Sequence, residues 1–278
     1  MVSFPNCKIN LGLNIIRKRP DGYHDIETLF YPIACKDVLE VLKLEDESIE
    51  TGVKFSYSGL AINGEIQDNL CVKAYHLLKK DFPNLPPIQI HLHKLIPMGA
   101  GLGGGSADGA FSLQLINQLF NLNLSQEQLI NYALLLGSDC PFFIINKPCY
   151  ATGRGADLQE INMTLSSYQI VLVNPNIHIS TGLAFSQIIP SIPSISIREI
   201  IDLPIHQWKD LMVNDFEKTV FPLFPKIAEI KKEFYTQGAL FASLSGSGSS
   251  VFGIFEKGAQ RPFSFEPTFQ VYLLNNNC

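Results

Sequence analysis

Ten residues, Pro97-Met-Gly-Ala-Gly-Leu-Gly-Gly-Gly-Ser106, carry five glycines and constrain this chain more than any other stretch. An alternating run precedes them, with Ile88, Ile90 and Leu92 set against Gln89, His91 and His93, which reads as a half-buried strand. A helical pattern follows, with Ala110, Phe111, Ile116 and Leu119 at roughly helical spacing and Ser106 expected as the N-cap. The order is strand, glycine loop, helix. Glycine lets a backbone take positive φ and approach a ligand with no Cβ in the way. The helix that follows directs unpaired N–H groups and partial positive charge at the same point. Gly99, Ala100, Gly101, Leu102, Gly103, Gly104 and Gly105 are thus expected to form an anion cradle, most simply for nucleotide phosphates. A flexible spacer would need neither Pro97 before the loop nor a capping serine after it.

Three nucleotide-binding loops can be compared with this one. Gly99-x-Gly101-x-x-Gly104 fits the dinucleotide pattern formally, but its upstream strand is half polar and no acid follows near Leu119–Ser125. The P-loop needs Gly-Lys-Ser/Thr at its end, which is missing. Protein kinases need His-Arg-Asp and Asp-Phe-Gly, also missing. What remains is a loop long enough to wrap a triphosphate, with Ser106 placed to reach phosphate or its Mg²⁺.

Elsewhere, Cys7, Ile9, Leu11, Leu13 and Ile15 alternate with Lys8, Asn10, Gly12 and Asn14. The apolar set belongs to a core; the polar set faces either solvent or a site. Arg17-Lys-Arg-Pro-Asp-Gly22 is a turn signal. Tyr23-His24 after it could hold a base by stacking and hydrogen bonding, or pack locally. Strands are expected near 27–31, 37–44 and 53–57, and a helix from Asp68-Asn-Leu70 to about Lys80. Ser125-x-x-Gln128 is a capping box for a helix ending at Gly137, expected as a left-handed cap. Pro141 then pins the backbone, which puts Asp139 on a rigid corner before an expected apolar strand, Phe142 to Ile145. Gly153-Arg-Gly155 is a further glycine turn, and a second domain is expected to begin soon after it. There, 169–174, 240–244, 251–255 and 269–274 read as strands, Ser196-x-x-Glu199 as a capping box, and 224–237 as an amphipathic helix closed by Gly238. The small-residue turn 245–250 offers N–H groups and hydroxyls that suit phosphate.

With 278 residues, 46% of them hydrophobic, the chain has material for one large or two small domains. A net charge of −5 argues against a nucleic-acid binder. No apolar run reaches the length of a membrane span, and the first residues lack an export-signal pattern. Cys7, Cys35, Cys71, Cys140, Cys149 and Cys278 are scattered, as reduced thiols are. A cytoplasmic protein is expected, acting on a small molecule without nucleic-acid or membrane partners.

Phosphoryl transfer is mostly positioning and charge stabilisation. Asp139 is the candidate to orient or deprotonate an acceptor hydroxyl, and Lys8 the candidate cation. Beside a lysine the aspartate would stay ionised, a good hydrogen-bond acceptor but a weak base.

The stretch Pro97 to Ala110 resembles the glycine motif of the galactokinase, homoserine kinase, mevalonate kinase and phosphomevalonate kinase superfamily. Cys7-Lys-Ile-Asn-Leu11, Arg19-x-Asp-Gly-Tyr-His24, Gly137-Ser-Asp-Cys-Pro-Phe142 and Leu244-Ser-Gly-Ser-Gly248 are similar to the branch that phosphorylates 4-diphosphocytidyl-2-C-methyl-D-erythritol. The resemblance implies an α+β fold of two domains, about 1–160 and 161–278, with the active site in the cleft between them. It implies ATP and Mg²⁺, the latter through Ser106, and phosphorylation of the substrate's 2-hydroxyl in non-mevalonate isoprenoid synthesis. It makes Lys8 and Asp139 the catalytic pair with Asn10 in support. Pro97, Met98, the glycines and Ala107 would line the ATP phosphates, with Asn69, Leu70 and Lys94 on the adenine side. Tyr23 and His24 would hold cytosine, with Phe185 on its other face. A monomer or weak homodimer is expected. Two positions depart from the pattern: Gly109 stands where alanine is usual, and Ala156 follows Gly155 where glutamate is common. The rival readings are another small-molecule kinase of the superfamily, for homoserine or mevalonate, and a non-catalytic nucleotide-binding protein.

Overall fold

A computed structural model describes residues 1–45, 51–258 and 263–275; Cys278 lies outside them. In chain order the elements are β1 (Val2–Ser3), β2 (Asn6–Lys18), β3 (His24–Lys36), β4 (Val38–Lys43), β5 (Val53–Gly59), α1 (Leu70–Asp81), β6 (Ile88–Lys94) and α2 (Gly104–Leu119). There follow α3 (Gln126–Leu136), α4 (Cys140–Ile145), β7 (Cys149–Thr152), β8 (Asp157–Glu160), β9 (Tyr168–Asn174), α5 (Thr181–Phe185) and α6 (Ile197–Ile200). The last are α7 (Ile205–Leu211), α8 (Glu217–Leu223), α9 (Pro225–Thr236), β10 (Phe241–Leu244), β11 (Val251–Glu256) and β12 (Gln270–Asn275). The fold is α+β, as expected.

Two compact units are interleaved along the chain. One comprises 1–7, 35–98 and 103–146, the other 8–34, 99–102 and 147–278. Residue 160, the expected boundary, is the last of β8.

The first unit holds the sheet β1-β4-β6-β5, with β5 parallel to β6 and the other pairs antiparallel. Alternation on β6 follows the sequence: Ile88, Ile90, Leu92 and Lys94 are buried and the residues between them half-buried. Helices α1 to α4 pack together, and α2 also meets β4. Asn69 caps α1 by accepting from the Cys71 N–H at 2.9 Å, and both halves of the Ser125–Gln128 capping box are formed.

Three local expectations fail here. Helix α2 starts two residues before Ser106, capped by Gly103 at φ 69°, because a left-handed residue can turn the chain into a helix without any side-chain cap. Gly137 ends α3 at φ 169°, in extended backbone rather than the left-handed region. Phe142–Ile145 is helical, not a strand: Pro141 sits in the first turn of α4, where its missing N–H costs nothing. A six-residue apolar run has too few turns for periodicity to tell helix from strand.

The second unit holds two sheets, β2-β3-β7-β8 and β10-β11-β9-β12. Phe216, Val220, Ile227, Ile230 and Phe234 from the region of α8 and α9 pack with Leu13, Ile15, Val171, Val173, Leu244 and Val251 in one core. Strand β2 is buried on both faces from Asn6 to Ile15. Of the two sequence readings of Lys8, Asn10 and Asn14, solvent exposure is therefore excluded. Among the described residues no helix is long and apolar enough to cross a membrane, and the described cysteines are free and buried.

Candidate active site

Lys8 and Asn10 project from the same face of β2, two residues apart, and both are at most 3% exposed. The Lys8 ammonium donates to Asn10 Oδ1 at 2.6 Å and to the Gly101 carbonyl at 3.0 Å, and lies 5.1 Å from the Phe30 ring centroid. Asn10 Nδ2 donates to Thr28 Oγ1 at 2.9 Å, and Thr28 donates onward to the Gly12 carbonyl at 2.6 Å. This chain orients the amide oxygen toward the lysine. A lysine nitrogen taken out of water needs acceptors such as these to meet its N–H groups.

Gly101 has φ 77°, and a Cβ there would fall 1.8 Å from the Ser245 carbonyl oxygen. Its own carbonyl also accepts from Ser245 Oγ at 2.9 Å. Ser250 N–H donates to the Ala100 carbonyl at 3.1 Å. The loop 99–102 is therefore stitched to the turn 245–250, a link invisible in sequence. Asn214 holds that turn from below, donating to the Leu244 and Gly246 carbonyls, each at 2.9 Å. Nothing in the spacing of Asn214 signals this role.

In the first unit, Gly103 and the start of α2 present the helix N-terminus. Ala107 is buried, and its N–H donates to the Gly103 carbonyl at 2.9 Å. Ser106 lies in the first turn, hydrogen-bonded to the Cys140 thiol, which burial raises to about 12 against the pull of that bond. Asp139 stands at the head of α4, half-buried, in helical backbone at φ −85° without capping the helix by its side chain. Pro97 is buried and Met98 exposed.

Lys94 lies beneath this helix start rather than at the surface. It is fully buried, its ammonium held by Asp37 and by Asp108 Oδ2, the latter at 2.7 Å. Burial disfavours its charge, but the two carboxylates hold its pKa above the usual lysine value. Asp37 Oδ1 also accepts from the Leu95 and Ile96 N–H groups at 2.5 and 2.8 Å. A Cβ on Gly104 would come within 3.1 Å of the Lys94 nitrogen. Lys94 thus ties β6 to α2, and has no exposed atom with which to touch a nucleotide. The pairing with Asp108 sits 14 residues away in sequence and has no local signal. Asn69 is committed to capping α1, and Leu70 is half-buried at its first position.

In the second unit, His24 stacks on Phe185, with centroids 4.6 Å apart and planes at 14°. Phe216 meets Phe185 edge-on at 4.8 Å. Burial lowers the His24 pKa, helped by the charge of Lys18. Tyr23 is 54% exposed. The structure therefore brings His24, next to Tyr23 in the chain, against Phe185, some 160 positions further along the sequence.

The candidate residues thus comprise a buried lysine braced by an asparagine, a glycine loop opening a helix, and an aromatic stack near a turn. Residues 69–147 match the GHMP kinases N terminal domain and residues 198–263 the GHMP kinases C terminal family. The chain is an ATP-dependent kinase of the GHMP class. A Bacteroides fragilis protein named 4-diphosphocytidyl-2-C-methyl-D-erythritol kinase is 54% identical over 98% of this chain and 100% of its own. A crystal structure of 4-(cytidine 5'-diphospho)-2C-methyl-D-erythritol kinase superposes with TM-score 0.78 at 29% identity, covering 91% of this chain and 90% of that one. Methanococcus jannaschii mevalonate kinase, at TM-score 0.72 and 12% identity over 99% and 97% of the two chains, shares the fold. The chain belongs to the 4-diphosphocytidyl-2-C-methyl-D-erythritol kinase family.

Proposed function

We propose that this enzyme transfers the γ-phosphoryl group of ATP to the 2-hydroxyl of 4-diphosphocytidyl-2-C-methyl-D-erythritol, in non-mevalonate isoprenoid precursor synthesis. The observation that carries the reading is the 54% identity, over nearly the whole chain, to a relative of that name. The stack of His24 on Phe185, with Tyr23 next to His24 in the chain, supports it, since kinases of homoserine or mevalonate have no base to grip.

In this reading Lys8 and Asp139 are the catalytic pair. The substrate oxygen bonds to the γ-phosphorus, the bond from that phosphorus to ADP breaks, and the hydroxyl proton passes to solvent, directly or by way of the Asp139 carboxylate. Asp139 orients the hydroxyl and Lys8 offsets developing negative charge, with Asn10 fixing the ammonium's direction. The loop from Pro97 to Ala107 cradles the phosphates, and Asn69 and Leu70 lie on the adenine side. Lys94 belongs to that side as support beneath the helix, given its burial. Mg²⁺ would enter with the nucleotide. Among the described residues no three His, Cys, Asp or Glu side chains cluster as a metal site, and a hydroxyl such as Ser106 in a phosphate-binding first turn suits an ion carried mainly by phosphates. The reading includes a cytoplasmic monomer or weak homodimer without nucleic-acid partners.

The test is ADP release with the cytidine-diphosphate substrate beside homoserine and mevalonate. Turnover with the first alone is expected; turnover with only one of the others overturns the reading.

A further inference from the structure

We propose that Arg154 is a positioning residue for the cytidine end of the substrate, bracing one face of the Tyr23 ring so that the other is held ready for the base. This rests on the function proposed above. The Arg154 guanidinium carbon lies 3.6 Å from the Tyr23 ring centroid, the separation of two stacked flat groups. Arg154 itself is exposed, and Tyr23 is 54% exposed on a turn. A ring there, wet on both faces, samples several rotamers, and a base that stacks on it must order it at the moment of binding. A cation already on one face does that ordering beforehand.

The backbone holds Arg154 in place for this. It sits at the tip of the β7–β8 turn, between Gly153 at φ 62° and Gly155 at φ 89°. The Gly153 carbonyl accepts from Ile26 N–H at 2.7 Å, and Gly155 N–H donates to the Thr152 carbonyl at 3.0 Å. Ile26 is two residues past His24 on β3, so the turn is fastened to the strand that follows the aromatic pair. A Cβ on Gly153 would strike Asp157 Oδ2 at 2.3 Å, and one on Gly155 would press on Ile26 Cδ1 at 3.3 Å. The turn therefore cannot relax around other residues without moving the arginine. This gives Gly153-Arg-Gly155 a purpose that does not need the glutamate commonly found after it.

The experiment is a double-mutant cycle on KM and kcat. Wild-type turnover of the cytidine substrate comes first; its absence removes the functional reading, and the brace falls with it. Given turnover, Arg154→Ala is expected to raise KM for the cytidine substrate roughly 2–5-fold, the worth of an exposed cation–π contact. The KM for ATP and kcat should stay within error, and Arg154→Lys should recover part of the loss. In a Tyr23→Ala background, Arg154→Ala should add nothing. A lower KM in Arg154→Ala would mean that the guanidinium occupies the base's own place, and would overturn the brace. Additive effects would mean a contact with substrate that bypasses Tyr23, and equal losses for ATP would mean general damage to the fold; either also overturns it.

Discussion

Lys94 and Asp108 form an ion pair closed to solvent: Nζ and Oδ2 are 2.7 Å apart, and the side chains are 0% and 4% exposed. Asp37 takes the lysine's other side. Two carboxylates sharing one ammonium in a buried site cannot both be ionised cheaply. Burial, with Asp37 adding to it and Lys94 opposing it, pushes the Asp108 pKa up to about 7. An unfolded aspartate titrates near ~3.9. Between these values the folded chain binds more protons than the unfolded one, so this group's contribution makes stability fall as pH rises through that window. The expected outcome is that Asp108→Asn flattens the pH dependence, gaining on wild type as pH goes from 5 to 8. Parallel Tm profiles for the two proteins would show that Asp108 does not hold a proton.

Removing Lys94 leaves Asp37 and Asp108 facing each other without a cation. Lys94→Met is expected to cost about 3–5 kcal/mol in urea unfolding, the usual result of breaking a buried pair. A change confined to KM for ATP, with the unfolding midpoint kept, would instead make Lys94 a nucleotide contact.

The glycines of the loop are not equivalent. Gly101→Ala places a Cβ in the left-handed region and 1.8 Å from the Ser245 carbonyl. It is expected to destabilise by at least 1–3 kcal/mol, the range of such backbone strain, and to weaken ATP binding. Gly105 lies inside α2 with nothing within 4 Å of a built Cβ. For Gly105→Ala a stability gain of up to ~1 kcal/mol is expected. Thermal melts of the two variants check the contrast; equal effects would mean that the stitch between loop 99–102 and turn 245–250 is dispensable.

Asp139→Ala is expected to lower kcat roughly 10²–10⁴-fold, as loss of a positioned acid–base group does. Lys8→Met should fall in a similar range through loss of charge stabilisation. Steady-state kinetics with saturating ATP measure both. A near-normal kcat for Asp139→Ala would assign the aspartate to the architecture of the α3–α4 corner.

Much was legible in the sequence because it depends on neighbours in the chain. The alternation of β6, the capping boxes at Ser125 and Ser196, and the run of glycines before α2 are short-range facts, set by side-chain period and backbone freedom. So were the residue types of the site: Lys8 and Asn10 share a strand face by their spacing alone. Short-range rules misled where the run was too brief, as at Phe142–Ile145, or where glycine could replace a cap, as at Gly103. Only tertiary structure decided the rest. Whether Lys8 faces water or a buried network depends on what covers β2. Lys94 became a hidden tie because Asp37, 57 positions away, and Asp108 meet at its nitrogen. Gly101 has no room for a Cβ because of Ser245, and a turn fastened to Ile26 carries Arg154 onto Tyr23. Burial and charge pairing act across space, so the energies that fix these partners leave no mark on the local pattern of the chain.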